Sequence, residues 1–373
     1  MKFLFACGGT AGHINPALAV AGKLRELLPD SQFLFVGSGR EMEKRLVPAE
    51  GYVLKNITIT GFSRGFSPSD LKHNAVTIRN LAVSKRESET ILDEFSPDVV
   101  IGTGGYVCYP VLRCAAKRGL PTLMHESNAV PGLTTKMLSG VVDKVLVAFP
   151  DVESRYKKPE RVVFTGTPVR GDFSLLTRES AKKKLGIAGK PLVVSFWGSL
   201  GADMMNGRMA DFIRLNSRSG EFWHIHATGN GKDGVARMVE RLAERGVYGL
   251  PAWEDLRPYI DDMGTVMTAA DLVLCRAGAS TIAELTNVGR AAILVPSPNV
   301  TNQHQEKNAR ELERSGAVAV AEESACSGES LYNSALGLLR DRDALAVMER
   351  ASRSLGRRDA CDKIAAEILA LAR

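Results

Sequence analysis

Among 373 residues the chain has only six cysteines and six histidines. The cysteines (Cys7, Cys108, Cys114, Cys275, Cys326 and Cys361) form no C-x-x-C pair and have no histidine cluster beside them at metal-ligand spacing. That argues against a disulfide scaffold and a structural zinc site, and it predicts reduced thiols in a cytoplasmic protein. No run approaches about 20 apolar residues, so no membrane-spanning helix is expected. The opening Met1–Cys7 run is too short for the apolar core of a secretory signal and meets glycines at once. The first glycine-rich loop fits neither G-x-G-x-x-G nor the P-loop spacing, so it supports neither a dinucleotide oxidoreductase nor a P-loop NTPase.

What is present is ordinary globular material. Hydrophobic residues make up 45% and charged residues 24%, enough to bury a core and too balanced for disorder. The length suits two domains. A net charge of +6 favours anionic partners: phosphates, nucleic acid or an acidic membrane surface.

Strand-length apolar runs (Phe3–Cys7, Phe33–Val36, Val99–Ile101, Thr122–Met124, Val145–Val147, Leu192–Phe196, Leu272–Leu274 and Ala292–Val295) alternate with amphipathic helical stretches. That alternation predicts an α/β chain of βα units around parallel sheets. Asn15-Pro16 suggests a cap and first position for the helix after the first strand. The pattern restarts at Leu192, and Thr165-Gly166-Thr167-Pro168 reads as a hinge, with a boundary near Thr167. The last helical stretch, 359–373, could close on either half.

Several strand-to-helix loops carry candidate chemistry. Gly8-Gly9-Thr10-Ala11-Gly12-His13 lets a main chain approach phosphate at a helix N-terminus, and His13 at its mouth is a candidate general base or a helix cap. Ile101-Gly102-Thr103-Gly104-Gly105-Tyr106 offers a second phosphate-sized concavity or merely a turn. His125-Glu126-Ser127-Asn128 stands at a strand's carboxyl edge, where open α/β sheets place ligand groups. In Arg276-Ala277-Gly278-Ala279-Ser280-Thr281-Ile282-Ala283-Glu284, small residues admit phosphate and Glu284 can accept ribose hydroxyls or satisfy the helix dipole. Asn302-Gln303-His304-Gln305 could meet sugar hydroxyls or be a solvated loop.

Taken together, GGTAGHINPALAVA (8–21), TGGYVCYP (103–110), HESNAVPGLTTK (125–136), TGTPVR (165–170), DLVLCRAGASTIAEL (271–285) and NQHQEKNA (302–309) resemble the MurG family of glycosyltransferases from Gly8 to about Gly316. The resemblance implies two Rossmann-like domains facing across a cleft, the B-type glycosyltransferase fold. Residues 1–166, joined by helix 359–373, would bind the acceptor lipid I and dock on the membrane, while 167–358 would bind UDP-N-acetylglucosamine. Donor contacts carry over onto Thr10, Ala11, Gly12, Asn128, Arg170, Ser199, Ile260, Ala279, Ser280, Thr281, Ile282, Ala283, Glu284 and Gln305. The implied reaction is an inverting transfer of N-acetylglucosamine to the muramyl 4-hydroxyl, with His13 as base and no metal or other cofactor.

Two departures stand out: Ala11 replaces a glycine of the usual GGTGGH, and Trp197-Gly198-Ser199-Leu200-Gly201-Ala202-Asp203 replaces GGSQGA followed by Arg. Leu200 removes an amide and Asp203 reverses a charge beside the expected phosphates. They keep a catalytically silent nucleotide-sugar-binding adaptor in view, beside a related transferase or a UDP-sugar epimerase. The expected partners are UDP-N-acetylglucosamine, lipid I and an anionic membrane surface at its cytoplasmic face, with no nucleic acid. Phe62 and Phe66 near Arg64, Lys72, Arg79, Lys85 and Arg86 form the expected docking surface, with a solvated helix as the competing reading.

Overall fold

The computed structural model describes residues 1–373 except 64, 66, 170–175, 200, 232, 301, 302 and 373. The expectations placed on Arg170, Leu200, Asn302, Arg64 and Phe66 therefore lie outside the described residues. Two compact units emerge, Met1–Arg170 with Arg357–Arg373, and Gly171–Gly356.

The first unit runs β1 (Lys2–Cys7), α1 (Ala11–Leu27), β2 (Gln32–Gly37), α2 (Glu41–Ala49), β3 (Val53–Asn56), α3 (Pro68–Phe95), β4 (Val99–Gly104), α4 (Cys108–Lys117), β5 (Thr122–Glu126), α5 (Leu133–Leu138), β6 (Lys144–Val147) and β7 (Val162–Phe164). Its sheet is parallel, in the order β3-β2-β1-β4-β5-β6-β7. Phe3 through Cys7 are wholly buried, because β1 is central and covered on both faces, which is why it reads as an unbroken apolar run. Phe3 stacks on Phe33 at 5.5 Å and Phe5 on Phe35 at 5.1 Å, fixing the β1–β2 register on one face.

The Asn15-Pro16 expectation is corrected. The helix starts at Ala11 with Thr10 extended as its cap (φ −135°, ψ 157°), and Pro16 sits inside it. Proline brings no N–H to the ladder, so at this sixth helical position the bond that would run to the Gly12 carbonyl is missing. Ile14, Ala17, Leu18 and Ala21 then face the core.

The second unit runs α6 (Arg178–Lys184), β8 (Leu192–Phe196), α7 (Asp203–Ser219), β9 (Trp223–Ala227), α8 (Gly234–Glu244), β10 (Glu254–Arg257), α9 (Met263–Ala269), β11 (Leu272–Cys275), α10 (Ala279–Val288), β12 (Ala292–Leu294), α11 (His304–Arg314), β13 (Val318–Val320), α12 (Gly328–Arg340) and α13 (Arg342–Leu355). Its parallel sheet has the order β10-β9-β8-β11-β12-β13. The chain then returns to the first unit as α14 (Ala360–Leu371), whose Ile364, Ala365 and Ile368 join the core of α1 and β1. Lys23–Asp362 at 2.8 Å and Lys144–Glu367 tie its polar side down.

Candidate functional site

In each sheet the strand order reverses once, between β1 and β4 in the first unit and between β8 and β11 in the second. A crevice opens at the carboxyl ends of the strands at such a reversal, because the two helices that follow run to opposite faces. The glycine-rich loops predicted from sequence leave from these four strands.

In the first unit the loops after β1 and β4 touch. Gly8 N–H donates to the Gly104 carbonyl at 3.3 Å, and the Thr103 hydroxyl donates to the His13 carbonyl at 2.6 Å. The His13 ring lies over Gly104, where a Cβ would stand 2.3 Å from a ring carbon, and φ of +126° there also demands glycine. His13 Nδ1 is 2.9 Å from the Gly8 carbonyl, which can only accept, so Nδ1 carries a proton, and in the neutral ring the lone pair stands on Nε2. Thr10 is exposed, and Ala11, Gly12 and His13 are half-buried. The neighbouring Cys7 and Cys108 thiols are buried; burial pushes Cys108 up to about 12, so it stays protonated.

His125 is not at the surface. It is 1% exposed, its Nε2 lies 2.9 Å from the Gly166 carbonyl, and burial lowers its pKa, which makes it a pin for the Thr165–Thr167 turn. Glu126 organises the rest of that loop. Its carboxylate accepts from Asn128 N–H (3.0 Å), Asn128 Nδ2 (2.9 Å), Gly132 N–H (3.0 Å) and the Thr135 hydroxyl (2.6 Å), so Asn128 is held by a buried acid.

In the second unit Ser199 is half-buried in a tight turn: Gly201 N–H donates to the Gly198 carbonyl at 3.0 Å, and Asn230 N–H to the Ser199 carbonyl at 2.9 Å. A Cβ on Gly201 would stand 2.0 Å from the Thr228 carbonyl, so only glycine lets the turn lie this close to the end of β9. Asp203 proves to be compensated: Arg241 meets both its oxygens at 2.8 Å, and Arg237 lies at 3.8 Å. Ala279–Thr281 form the half-buried first turn of α10, with Ile282 buried and Ala283 and Glu284 half-buried behind them. Cys275 is raised by burial and then by the charge of Glu284, which places that carboxylate beside the end of β11.

Two expected contacts are more constrained than the sequence suggests. Ile260 is 2% exposed and offers almost no surface. Gln305 uses its side-chain oxygen to accept from Ser297 N–H at 2.8 Å, so its amide nitrogen is the group left to donate elsewhere.

A cluster that sequence reading missed lies under the same sheet edge. The His224 Nδ1–H donates to Glu254 (2.8 Å), His224 Nε2 meets the Ser195 hydroxyl (2.8 Å), and that hydroxyl also meets His226 Nδ1 (2.7 Å). A serine–histidine–acid order suggests a hydrolase, but all four are buried, with Ser195 at 0% and both histidines at 1% exposure. Their role is to cross-link β8, β9 and β10. The D-x-D triplet Asp341-Arg342-Asp343 is a helix cap, Asp341 accepting from Ala344 N–H at 2.9 Å. Among the described residues no group of three His, Cys, Asp or Glu is placed to hold a metal ion.

Two Rossmann-like parallel-sheet units, each with glycine-rich loops at its switch point, define a protein of the B-type glycosyltransferase class. The family models for the glycosyltransferase family 28 N-terminal domain and C-terminal domain match residues 3–147 and 192–364. The UDP-N-acetylglucosamine--N-acetylmuramyl-(pentapeptide) pyrophosphoryl-undecaprenol N-acetylglucosamine transferase of Acetivibrio thermocellus is 43% identical over 98% of this chain and 96% of its own. The enzyme of the same name from Listeria welshimeri is 38% identical over 100% and 99%. The crystal structure of Acinetobacter baumannii MurG superposes with a TM-score of 0.74 at 28% identity, covering 99% of each chain. The chain belongs to glycosyltransferase family 28 and, within it, to the MurG family. A UDP-GlcNAc 2-epimerase from Neisseria meningitidis, at 13% identity over 99% of this chain and 100% of its own and a TM-score of 0.67, shares the fold alone.

Proposed function

We propose that this protein moves N-acetylglucosamine from UDP-N-acetylglucosamine to the muramyl 4-hydroxyl of undecaprenyl-pyrophosphoryl-N-acetylmuramoyl-pentapeptide, lipid I, giving lipid II for peptidoglycan. The observation that carries this is identity of 43% over 98% of the chain to a transferase named for that reaction. Neither the epimerase nor the adaptor reading gains support, since the epimerases share only fold and the reversed charge at Asp203 is neutralised by Arg241.

In the proposed mechanism the second unit holds the donor. The N-terminal turns of α7 and α10 and the Ser199 hydroxyl meet the diphosphate, and Glu284 accepts hydrogen bonds from the ribose hydroxyls. Ile260 borders the base, Ala279 through Ala283 lie along the phosphates and Gln305 reaches the sugar with its amide nitrogen. Thr10, Ala11, Gly12, Asn128 and Arg170 complete the set. The acceptor 4-oxygen attacks the anomeric carbon, the bond to the diphosphate oxygen breaks with its electron pair leaving on UDP, and the hydroxyl proton passes to His13 Nε2. Inversion follows from a single in-line displacement. The tautomer fixed by the Gly8 carbonyl supports His13 in this role, because it leaves Nε2 able to accept.

A peripheral seat on the cytoplasmic face of an anionic membrane is part of the proposal. No described helix is long and apolar enough to cross a bilayer. The first half of α3 exposes Leu71 (61%), Val76 (48%) and Ile78 (63%) to solvent, with Phe62 (49%) close by in sequence. Ile78, Leu81, Lys85, Tyr109, Arg113 and Lys117 line a groove of about 310 Å³ between α3 and α4, mixing apolar walls with cations as an acidic lipid surface requires. Lipid I-dependent release of UDP from UDP-N-acetylglucosamine, with lipid II recovered as product, tests the function. Release that ignores the acceptor contradicts it.

A further inference from the structure

Glu43 is wholly buried at the start of α2, and no functional reading has yet used it. Its carboxylate accepts four hydrogen bonds: Gly9 N–H (2.8 Å) and the Ser38 hydroxyl (2.8 Å) at Oε1, and Ser38 N–H (2.7 Å) and Arg40 N–H (3.1 Å) at Oε2. Space has been cleared for it. A Cβ on Gly8 or on Gly37 would stand 2.6 Å from its oxygens. The Gly9 N–H belongs to the same peptide unit as the Gly8 carbonyl, and that carbonyl accepts from His13 Nδ1 at 2.9 Å. The order is therefore carboxylate, peptide N–H, peptide C=O, imidazole N–H, with the lone pair of Nε2 at the far end.

We propose that Glu43 is a positioning residue that acts on His13 through the Gly8–Gly9 peptide, doing at one remove what the acid of an acid–histidine pair does directly. The carboxylate draws the Gly9 proton and so polarises the peptide, making the Gly8 oxygen a stronger acceptor. The strengthened bond fixes the Nδ1–H tautomer and favours the imidazolium that forms when Nε2 takes the acceptor's proton. This rests on the reading of His13 as the base. Other ionisable groups about the loop are Cys7 and Cys108, which burial keeps protonated, and Arg40, whose guanidinium lies 3.9 Å from where a Gly9 Cβ would stand. The charge of Glu43 also raises Cys7, but less than burial does, so that thiol stays protonated when Glu43 alone is altered.

The sign follows from the charge. Glu43→Gln removes a negative group that favours the cation, so His13 should titrate at lower pH than in the wild type. The weaker base should lower the kcat plateau several-fold and move its acid limb to lower pH, with UDP affinity unchanged.

The test is nitrogen-15 NMR of ring-labelled His13 in the full chain, with kcat–pH profiles of the wild type, His13→Ala, Glu43→Gln, Glu43→Asp and the His13→Ala/Glu43→Gln double variant. Glu43→Asp keeps the charge but withdraws it from Gly9, so it should shift His13 in the same direction and less far. An Nδ1–H tautomer in the wild type, a downward shift in whichever variant folds, and no further kcat loss from Glu43→Gln once His13 is alanine are the results expected. An Nε2–H tautomer, or a His13 titration that Glu43 substitution does not move, overturns the relay. The base reading fails separately, by an unaffected kcat in His13→Ala, while the NMR shift would still be seen.

Discussion

His13 is gripped at both its ends: the Thr103 hydroxyl holds its carbonyl, and the Gly8 carbonyl holds its ring. A side chain fixed this way has little freedom to lose on reaching the transition state, which is what a base needs. His13→Ala should lower kcat by about 10² to 10⁴ at saturating lipid I. UDP affinity should stay near wild type, because the proposed diphosphate and ribose contacts come from the second unit. A near wild-type kcat would leave the histidine as a contact for the acceptor's diphosphate. Glu284→Gln should do the reverse and weaken UDP binding about tenfold or more, the loss of one charge-assisted hydrogen bond, with unfolding unchanged. Calorimetric titration with UDP reads this directly, and an unchanged Kd removes Glu284 from the ribose. At this scale the sequence showed His13 and Glu284 because each follows a glycine-bearing strand end. It hid Glu43, three of whose four donors are main-chain N–H groups that no residue pattern marks, and it read Glu126 only as one polar residue of a candidate ligand loop. It also misjudged Asp203, since the arginines that neutralise it lie on α8, more than thirty residues away.

Among the elements, β9 is the instructive one. Trp223-His224-Ile225-His226-Ala227 gives no apolar run, yet it lies inside the second sheet: the Ser195 hydroxyl meets both imidazoles and Glu254 takes the His224 Nδ1–H, while burial keeps His226, whose Nε2 meets no hydrogen-bond partner among the described residues, from holding a second proton. Short strands β3, β7, β10 and β13 were equally silent, while central β1, β4, β8 and β11 were plain, since only strands covered on both faces must be apolar throughout. The start of α1 was misplaced because a proline was given more weight than an extended Thr10. The buried histidine has a consequence for stability. Burial, then the neighbouring His224, lowers the pKa of His226 well below its ordinary value. Its unfolded form titrates at about 6.5, so the unfolded chain gains protons that the native unit refuses, and stability falls as pH drops below that value. All three tryptophans, Trp197, Trp223 and Trp253, lie in the second unit, so their fluorescence follows it. The urea midpoint by this signal should fall between pH 7.5 and pH 5.5, and His226→Gln should flatten that slope whatever its absolute stability. An equal slope in the variant would assign the acid sensitivity to another group.

For the whole molecule, the net charge of +6 and the exposed apolar first half of α3 are the two features on which the proposed seat at an anionic bilayer surface rests. Each lysine or arginine near an anionic surface contributes about 1 kcal/mol, and salt screens it within a Debye length. Co-sedimentation with anionic vesicles should therefore be strong at low salt, fall as salt rises, and weaken on charge reversal at Lys72, Arg113 and Lys117. Binding that ignores all three charges would place the docking surface elsewhere. Lipid binding alone, however, is shared by any adaptor on this fold, and UDP binding by any nucleotide-sugar enzyme of it. What separates the transferase from both is the coupling of one substrate's consumption to the other's presence. The decisive measurement is UDP released from UDP-N-acetylglucosamine by the purified chain, with and without a lipid I analogue. The account requires release that depends on the acceptor, one UDP for each N-acetylglucosamine appearing β-linked at the muramyl 4-oxygen. UDP released at the same rate without acceptor, or no turnover with both substrates present and bound, would contradict it.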